Sequence, residues 1–170
     1  MRTALIPGSF DPFHNGHLDV VESTSRLFEH VIVAAIRNPQ KDRALFDLDE
    51  RRQMIAESVA HLENVHIEFF ASLVVDVARQ LGADVLVKGL RIASDFEYEL
   101  QQAQMNHAIS GIDTWFVPCA SDTSYISSSL IRDIARFGGA DRVASMVPPP
   151  VAKRLAEKFP HCVAEGPDGG

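Results

Sequence analysis

Six consecutive apolar residues, Val31-Ile32-Val33-Ala34-Ala35-Ile36, constrain this chain more than any other stretch. They do not alternate with polar residues, so a strand made of them has no face to give to water. Such a strand belongs inside a parallel sheet covered by helices on both sides. Shorter apolar runs at residues 3–6, 65–70, 85–87 and 115–117 also read as strands, and segments of helical periodicity separate them. Strands alternating with helices predict right-handed crossovers and one parallel sheet. The expected fold is a single Rossmann-like α/β domain over residues 1–160. It has a five-stranded parallel sheet flanked by helices and a C-terminal helical extension.

The intervening segments carry helix signals. Leu18, Val21, Ser25 and Phe28 form one stripe after the first strand. Asp47-Leu48-Asp49-Glu50 is a capping-box pattern, opening a helix to about residue 61 with Met54, Ile55, Val59 and Leu62 on its apolar side. Ser72 is read as the cap of a helix reaching Leu81, stopped by Gly82. Further helices are expected over residues 95–108 and 128–137, the latter closed by Gly138 and Gly139. Pro148-Pro149-Pro150 breaks the pattern before a last helix over 151–159. Residues 161–170, rich in Gly and Pro, read as a disordered tail.

Composition narrows the partners. No apolar run approaches the 18 or so residues that span a bilayer. Residues 1–3 lead directly into a strand, so no signal peptide is expected. Two distant cysteines, Cys119 and Cys162, argue against a disulfide scaffold and for a reducing cytoplasm. A formal net charge of −7 disfavours nucleic acid, so any polyphosphate must be met by locally placed cations.

In parallel sheets ligands bind outside the carboxyl ends of the strands. That rule brings residues 7–17, 37–41, 72, 88–91 and 119–129 to one rim. The first of these, Pro7-Gly8-Ser9-Phe10-Asp11-Pro12-Phe13-His14-Asn15-Gly16-His17, joins a strand to a helix whose N-terminus attracts anions. It lacks the Gly-Lys-Ser/Thr of a P-loop and the three glycines of a dinucleotide fingerprint. His14 and His17 have no third ligand at metal spacing, so zinc is not expected and no metal ligand is assigned. Two imidazoles beside an anion site instead suggest charge stabilisation on a reacting phosphate. At the other end, Ser127, Ser128 and Ser129 open a helix where one serine would suffice as a cap. Lys88-Gly89-Leu90-Arg91 places two cations at a strand end, an arrangement suited to an anion clamp.

His14-Asn15-Gly16-His17 resembles the H-x-G-H motif of the nucleotidylyltransferase superfamily. Ile126-Ser127-Ser128-Ser129 with Arg132 resembles its I-S-S-[ST]-x-x-R motif. The block from Lys88 to Glu99, with Met105 and Asn106, resembles the 4′-phosphopantetheine adenylyltransferases, and the likeness runs from residue 3 to about 155. Two departures stand out. The family usually has Thr where His14 stands, and often Arg where Lys88 stands. His14 keeps nicotinate-mononucleotide adenylyltransferases and glycerol-phosphate cytidylyltransferases as alternatives, which the 88–99 block weighs against. A non-catalytic nucleotide-binding module is the competing class, and His17 together with Lys41 argues against it.

The resemblance implies transfer of the adenylyl group of ATP to 4′-phosphopantetheine, giving dephospho-coenzyme A and pyrophosphate without a covalent intermediate. It implies His17, Lys41 and Ser9 as catalytic residues. ATP contacts are implied for Ser9, Phe10, His17, Gly89, Leu90, Arg91, Glu99, Thr123, Ser124, Tyr125, Ile126, Ser127, Ser128 and Ser129. Acceptor contacts are implied for Ser9, Lys41, Ser72, Leu73, Val74, Lys88 and Asn106. Arg132 is read as solvated or ion-paired and is not assigned. Mg²⁺ is expected to arrive on ATP, held by substrate and water because few carboxylates lie at the rim. The family further implies a cytoplasmic homohexamer with coenzyme A as a feedback ligand, and neither nucleic acid nor membrane as a partner.

Overall fold

The chain adopts, in a computed structural model, five strands and six α-helices over the described residues, 2–36 and 44–160, with only the backbone described at 93–95. Strand β1 is Thr3–Gly8, helix α1 Asn15–Ser25, β2 His30–Ile36, α2 Leu48–Ser58, β3 Val65–Phe70 and α3 Val74–Gln80. Then come β4 Val85–Leu90, α4 Ala93–Ser110, β5 Asp113–Pro118, α5 Ser128–Gly138 and α6 Pro149–Lys158. All four pairings are parallel, in the order β3-β2-β1-β4-β5. The expected α/β architecture is the one found.

The apolar run at 31–36 is buried on both faces, as its lack of alternation predicts. Val31, Val33 and Ala35 join Ala4, Ile6, Val85 and Val87 in the larger core, under α1, α2, α5 and α6. Ile32 and Ala34 point the other way, with Leu5 and Leu86, onto Val77 and Ala78 of α3. Edge strand β3 keeps the alternation, with His66 and Glu68 exposed. The order of strands reverses between β1 and β4: β2 and β3 build outward on one side of β1, and the chain then crosses back to place β4 on the other. A crevice is expected there, at the carboxyl ends.

Several expected boundaries shift, each for a local reason. On α1 the buried residues are Gly16, Val20, Val21 and Thr24, so the stripe is rotated from the one expected through Leu18 and Ser25. Close packing on the sheet selects the small residues. The capping box at Asp47 forms, with Glu50 N–H donating to the Asp47 carboxylate at 2.8 Å, but α2 ends at Ser58. Ser72 is not the cap of α3; Leu73 holds that position with no side-chain bond, because burial of Val75, Val77 and Ala78 sets the helix phase. Strand β4 continues through Lys88, Gly89 and Leu90, which pair with Phe116, Val117 and Pro118. Helix α4 runs on to Ser110, where Gly111 turns left-handed at φ 74°. A 3-10 helix, Ala140–Met146, fills a stretch to which the sequence pattern assigns no element. Pro149 and Pro150 sit in the first turn of α6, where a missing N–H costs nothing. Lys41 and the tail at 161–170 lie outside the described residues.

Candidate functional site

A cavity of about 380 Å³ opens at the β1/β4 reversal. Its walls include Ser9, Phe10, His17, Lys88, Gly89, Arg91, Glu99, Ser127, Ser128 and Ser129, ten residues singled out from sequence alone. His14, Tyr98, Cys119 and Arg132 join them.

The β1–α1 loop is held from below. Asp11 is buried, and its carboxylate accepts from the N–H groups of Leu45 at 2.8 Å and Phe46 at 2.9 Å. Buried Arg51 of α2 donates to the Ser9 carbonyl at 2.8 Å. From α5, the Ser128 hydroxyl donates to the Pro12 carbonyl at 2.9 Å, and Arg132 donates to the Asp11 carbonyl. The Asp11–Pro12 peptide is cis, and Phe10 is the only non-glycine with positive φ, at 48°, among the described residues. Gly8 has no alternative: a Cβ there would lie 2.7 Å from the Phe10 ring. Gly89 is equally constrained, since a Cβ would meet Val20 of α1 at 2.8 Å. The close approach of α1 to β4 closes the cavity floor.

His14 occupies the N-cap of α1, and its main-chain N–H donates to Nδ1 of His17 at 3.2 Å. A nitrogen that accepts cannot carry the proton, so His17 holds it on Nε2. The His17 ring stacks on His14, with centroids 3.6 Å apart, and lies between Phe10 and Phe13. Burial pushes the His14 imidazole down to about 3, with Arg91 adding to the effect. Burial also holds His17 well below the ordinary imidazole range, seconded by His14 and Arg91. Both rings are therefore neutral at pH 7. His17 is an N–H donor rather than a cation. Nδ1 of His14 is buried without a hydrogen-bond partner among the described residues.

The opposite wall carries the charge. Arg91 donates to the Ile126 carbonyl at 3.2 Å. Ser127 caps α5, its hydroxyl accepting from Leu130 N–H, which leaves the first-turn N–H groups of Ser128 and Ser129 with no preceding helical carbonyl. Arg132, unassigned from sequence, lines the cavity with its Nη1 4.0 Å from the Asp11 carboxylate. Its I-S-S-S-x-x-R spacing was the signal available. Lys88 forms an ion pair with Glu99 at 3.1 Å. Among the described residues, Glu99 is the one carboxylate in the wall.

Other expected residues lie off this wall. Leu90 is the last residue of β4. Thr123 donates to Asp19, Ser124 to the Ser121 carbonyl, and Tyr125 is exposed, while Ile126 is core. Ser72 and Leu73 are exposed where β3 leads into α3, Val74 packs on the smaller core, and Asn106 is half-buried on α4. No three His, Cys, Asp or Glu side chains converge as metal ligands among the described residues. No helix among them is long and apolar enough to cross a membrane.

With this geometry in view, the chain can be set beside known proteins. A family model described as cytidylyltransferase-like matches residues 5–134. A phosphopantetheine adenylyltransferase of Synechococcus sp. (strain JA-3-3Ab) is 49% identical over 158 residues, 92% of this chain and 98% of that protein. One from Synechococcus sp. (strain JA-2-3B'a(2-13)) is 48% identical over the same shares. Among solved structures, a Vibrio parahaemolyticus protein described as a nicotinate-nucleotide adenylyltransferase matches with a TM-score of 0.63 at 20% identity. That match covers 91% of this chain and 99% of the other. Thermotoga maritima TmcAL, bound with alpha-thio ATP, matches at 0.66 and 15% identity over 93% of this chain and 56% of that one. At such identities the two structures speak for the fold alone.

Proposed function

The chain belongs to the phosphopantetheine adenylyltransferase family within the cytidylyltransferase-like proteins, and on that premise we propose how its residues divide the work. The reaction is transfer of the adenylyl group of ATP to 4′-phosphopantetheine, releasing pyrophosphate and giving dephospho-coenzyme A. The acceptor phosphate attacks the α-phosphorus in line. No base is needed, because a phosphate carries no proton that must leave at neutral pH. Catalysis is positioning and charge stabilisation.

The observation that carries this reading is the His17 ring, fixed in tautomer by a main-chain N–H to its Nδ1 and set in the wall of the β1/β4 crevice. It donates to the α-phosphoryl oxygens as their charge grows. A neutral donor forms that bond without first drawing the triphosphate into a tight ground-state ion pair, so its contribution falls on the transition state. Arg91, Arg132 and the α5 first turn at Ser128 and Ser129 hold the departing pyrophosphate. Ser9 and Lys41 hold the acceptor phosphate, with Lys88. Phe10, Gly89, Leu90, Glu99 and the segment from Thr123 to Ser127 surround the nucleotide. Ser72, Leu73, Val74 and Asn106 line the pantetheine arm where it leaves the cavity along the rim.

Among the described residues the wall carries one carboxylate, Glu99, and Lys88 holds it, which supports a Mg²⁺ held mainly by ATP and water. Mg²⁺ belongs to the ATP it accompanies, where it offsets phosphate charge. The reading extends to one domain over residues 1–160 and a cytoplasmic location, drawn from the sequence pattern and cysteine usage, and to a homohexamer with feedback by coenzyme A, drawn from the family.

The test is pyrophosphate release from ATP and 4′-phosphopantetheine, with nicotinate mononucleotide plus ATP and glycerol phosphate plus CTP as controls. Turnover is expected with the first pair alone. Turnover confined to a control pair would overturn the substrate assignment.

A further inference from the structure

Lys88 lies on β4 and Glu99 on α4, and their side chains meet at 3.1 Å inside the cavity, each about a quarter exposed. The cation offered to an incoming phosphate is thus already engaged. Arg132 is likewise beside the Asp11 carboxylate, so the empty cavity is less positive than its residues suggest.

We propose that Glu99 is a specificity-determining residue that competes with the acceptor for Lys88. An ammonium is a point charge with three donors, able to change partners without reorienting a rigid fork. A pair that still touches solvent gains little net stability, so it is exchangeable. A ligand reaching Lys88 must replace a carboxylate. A dianionic phosphate monoester does so with a surplus of charge. A neutral alcohol cannot, and a monoanionic diester merely breaks even. The pair therefore admits acceptors by charge. It also links the two substrates: a nucleotide hydroxyl that donates to Glu99 loosens its hold on Lys88, so each substrate readies the pocket for the other.

This inference rests on the assignment of Lys88 to the acceptor, and calorimetric titration with 4′-phosphopantetheine in the absence of ATP separates the two. E99Q is expected to bind the acceptor roughly three- to tenfold more tightly, the scale of one partly exposed ion pair. K88Q is expected to bind it at least roughly tenfold more weakly, and K88Q/E99Q no better than K88Q. Unphosphorylated pantetheine should bind wild type and E99Q alike. Unchanged or weaker acceptor binding in E99Q, with K88Q impaired, overturns the competition and leaves the Lys88 assignment standing. So does an equal gain for unphosphorylated pantetheine. Acceptor binding unchanged in K88Q overturns the assignment itself and the competition with it. Circular dichroism of each variant confirms folding.

Discussion

The two walls of the cavity are built on opposite principles. On the β1–α1 side, His17 is boxed by three rings, receives a main-chain hydrogen bond, and stands on a loop tied down from α2 and α5. The ring is in place before any ligand arrives. On the β4–α4 side, Lys88 and Glu99 occupy each other in a partly exposed pair that a ligand can exchange. The contrast teaches where rigidity matters. Groups that meet charge only as it develops must be in place beforehand, since reorganising during the reaction forfeits the gain. Groups that bind ground states can begin in the wrong partnership and change it on binding.

Three substitutions probe that contrast. The largest effect is expected on the rigid side: His17→Ala should lower kcat by about 10²–10³-fold while the KM for ATP moves far less. A steady-state assay showing the loss in KM instead would make the rigid wall a binding wall. Next comes acid. The His14 ring has a folded value near 3 against 6.5 when unfolded, so between those limits the unfolded chain takes up the extra proton. Stability is therefore whole above pH 6.5 and declines as pH falls toward 3. Relative to pH 7.5, His14 alone should cost about 2 kcal/mol at pH 5. Denaturant melts of wild type and His14→Thr at both pH values should differ in their acid loss by that amount; equal losses would mean the ring is not held neutral. The smallest effect is expected on the exchangeable side. Glu99→Gln should alter folding stability by less than about 1 kcal/mol. A larger loss in a thermal melt would show that this wall, too, is structural.

Much of this was legible beforehand because apolar pattern and turn chemistry act over short stretches. The run at 31–36 dictates a doubly covered sheet, and the rim rule then gathers nine of the ten named cavity residues without a single long-range contact being known; Glu99 comes from the family resemblance. What escaped were the partnerships. Nothing local says that Asp11 reaches Leu45 and Phe46, or that Lys88 meets Glu99. Arg132 was set aside because its neighbours in sequence offered an exposed alternative, whereas the helix turns it toward the first loop. Ser72 was misread as a cap since cap chemistry is worth only about 1 kcal/mol, and burial of three small apolar side chains outweighs it.

One consequence of the hydrogen bond to Nδ1 reaches past this chain's own residue 14. The atom that decides which ring nitrogen keeps its hydrogen is an amide, not a side chain. Histidine there, or a threonine in its place, can issue the same instruction to the neighbouring imidazole. Mutation is thus free to remodel the side chain while the choice of tautomer passes on intact. Only proline, which has no such hydrogen to give, would silence it.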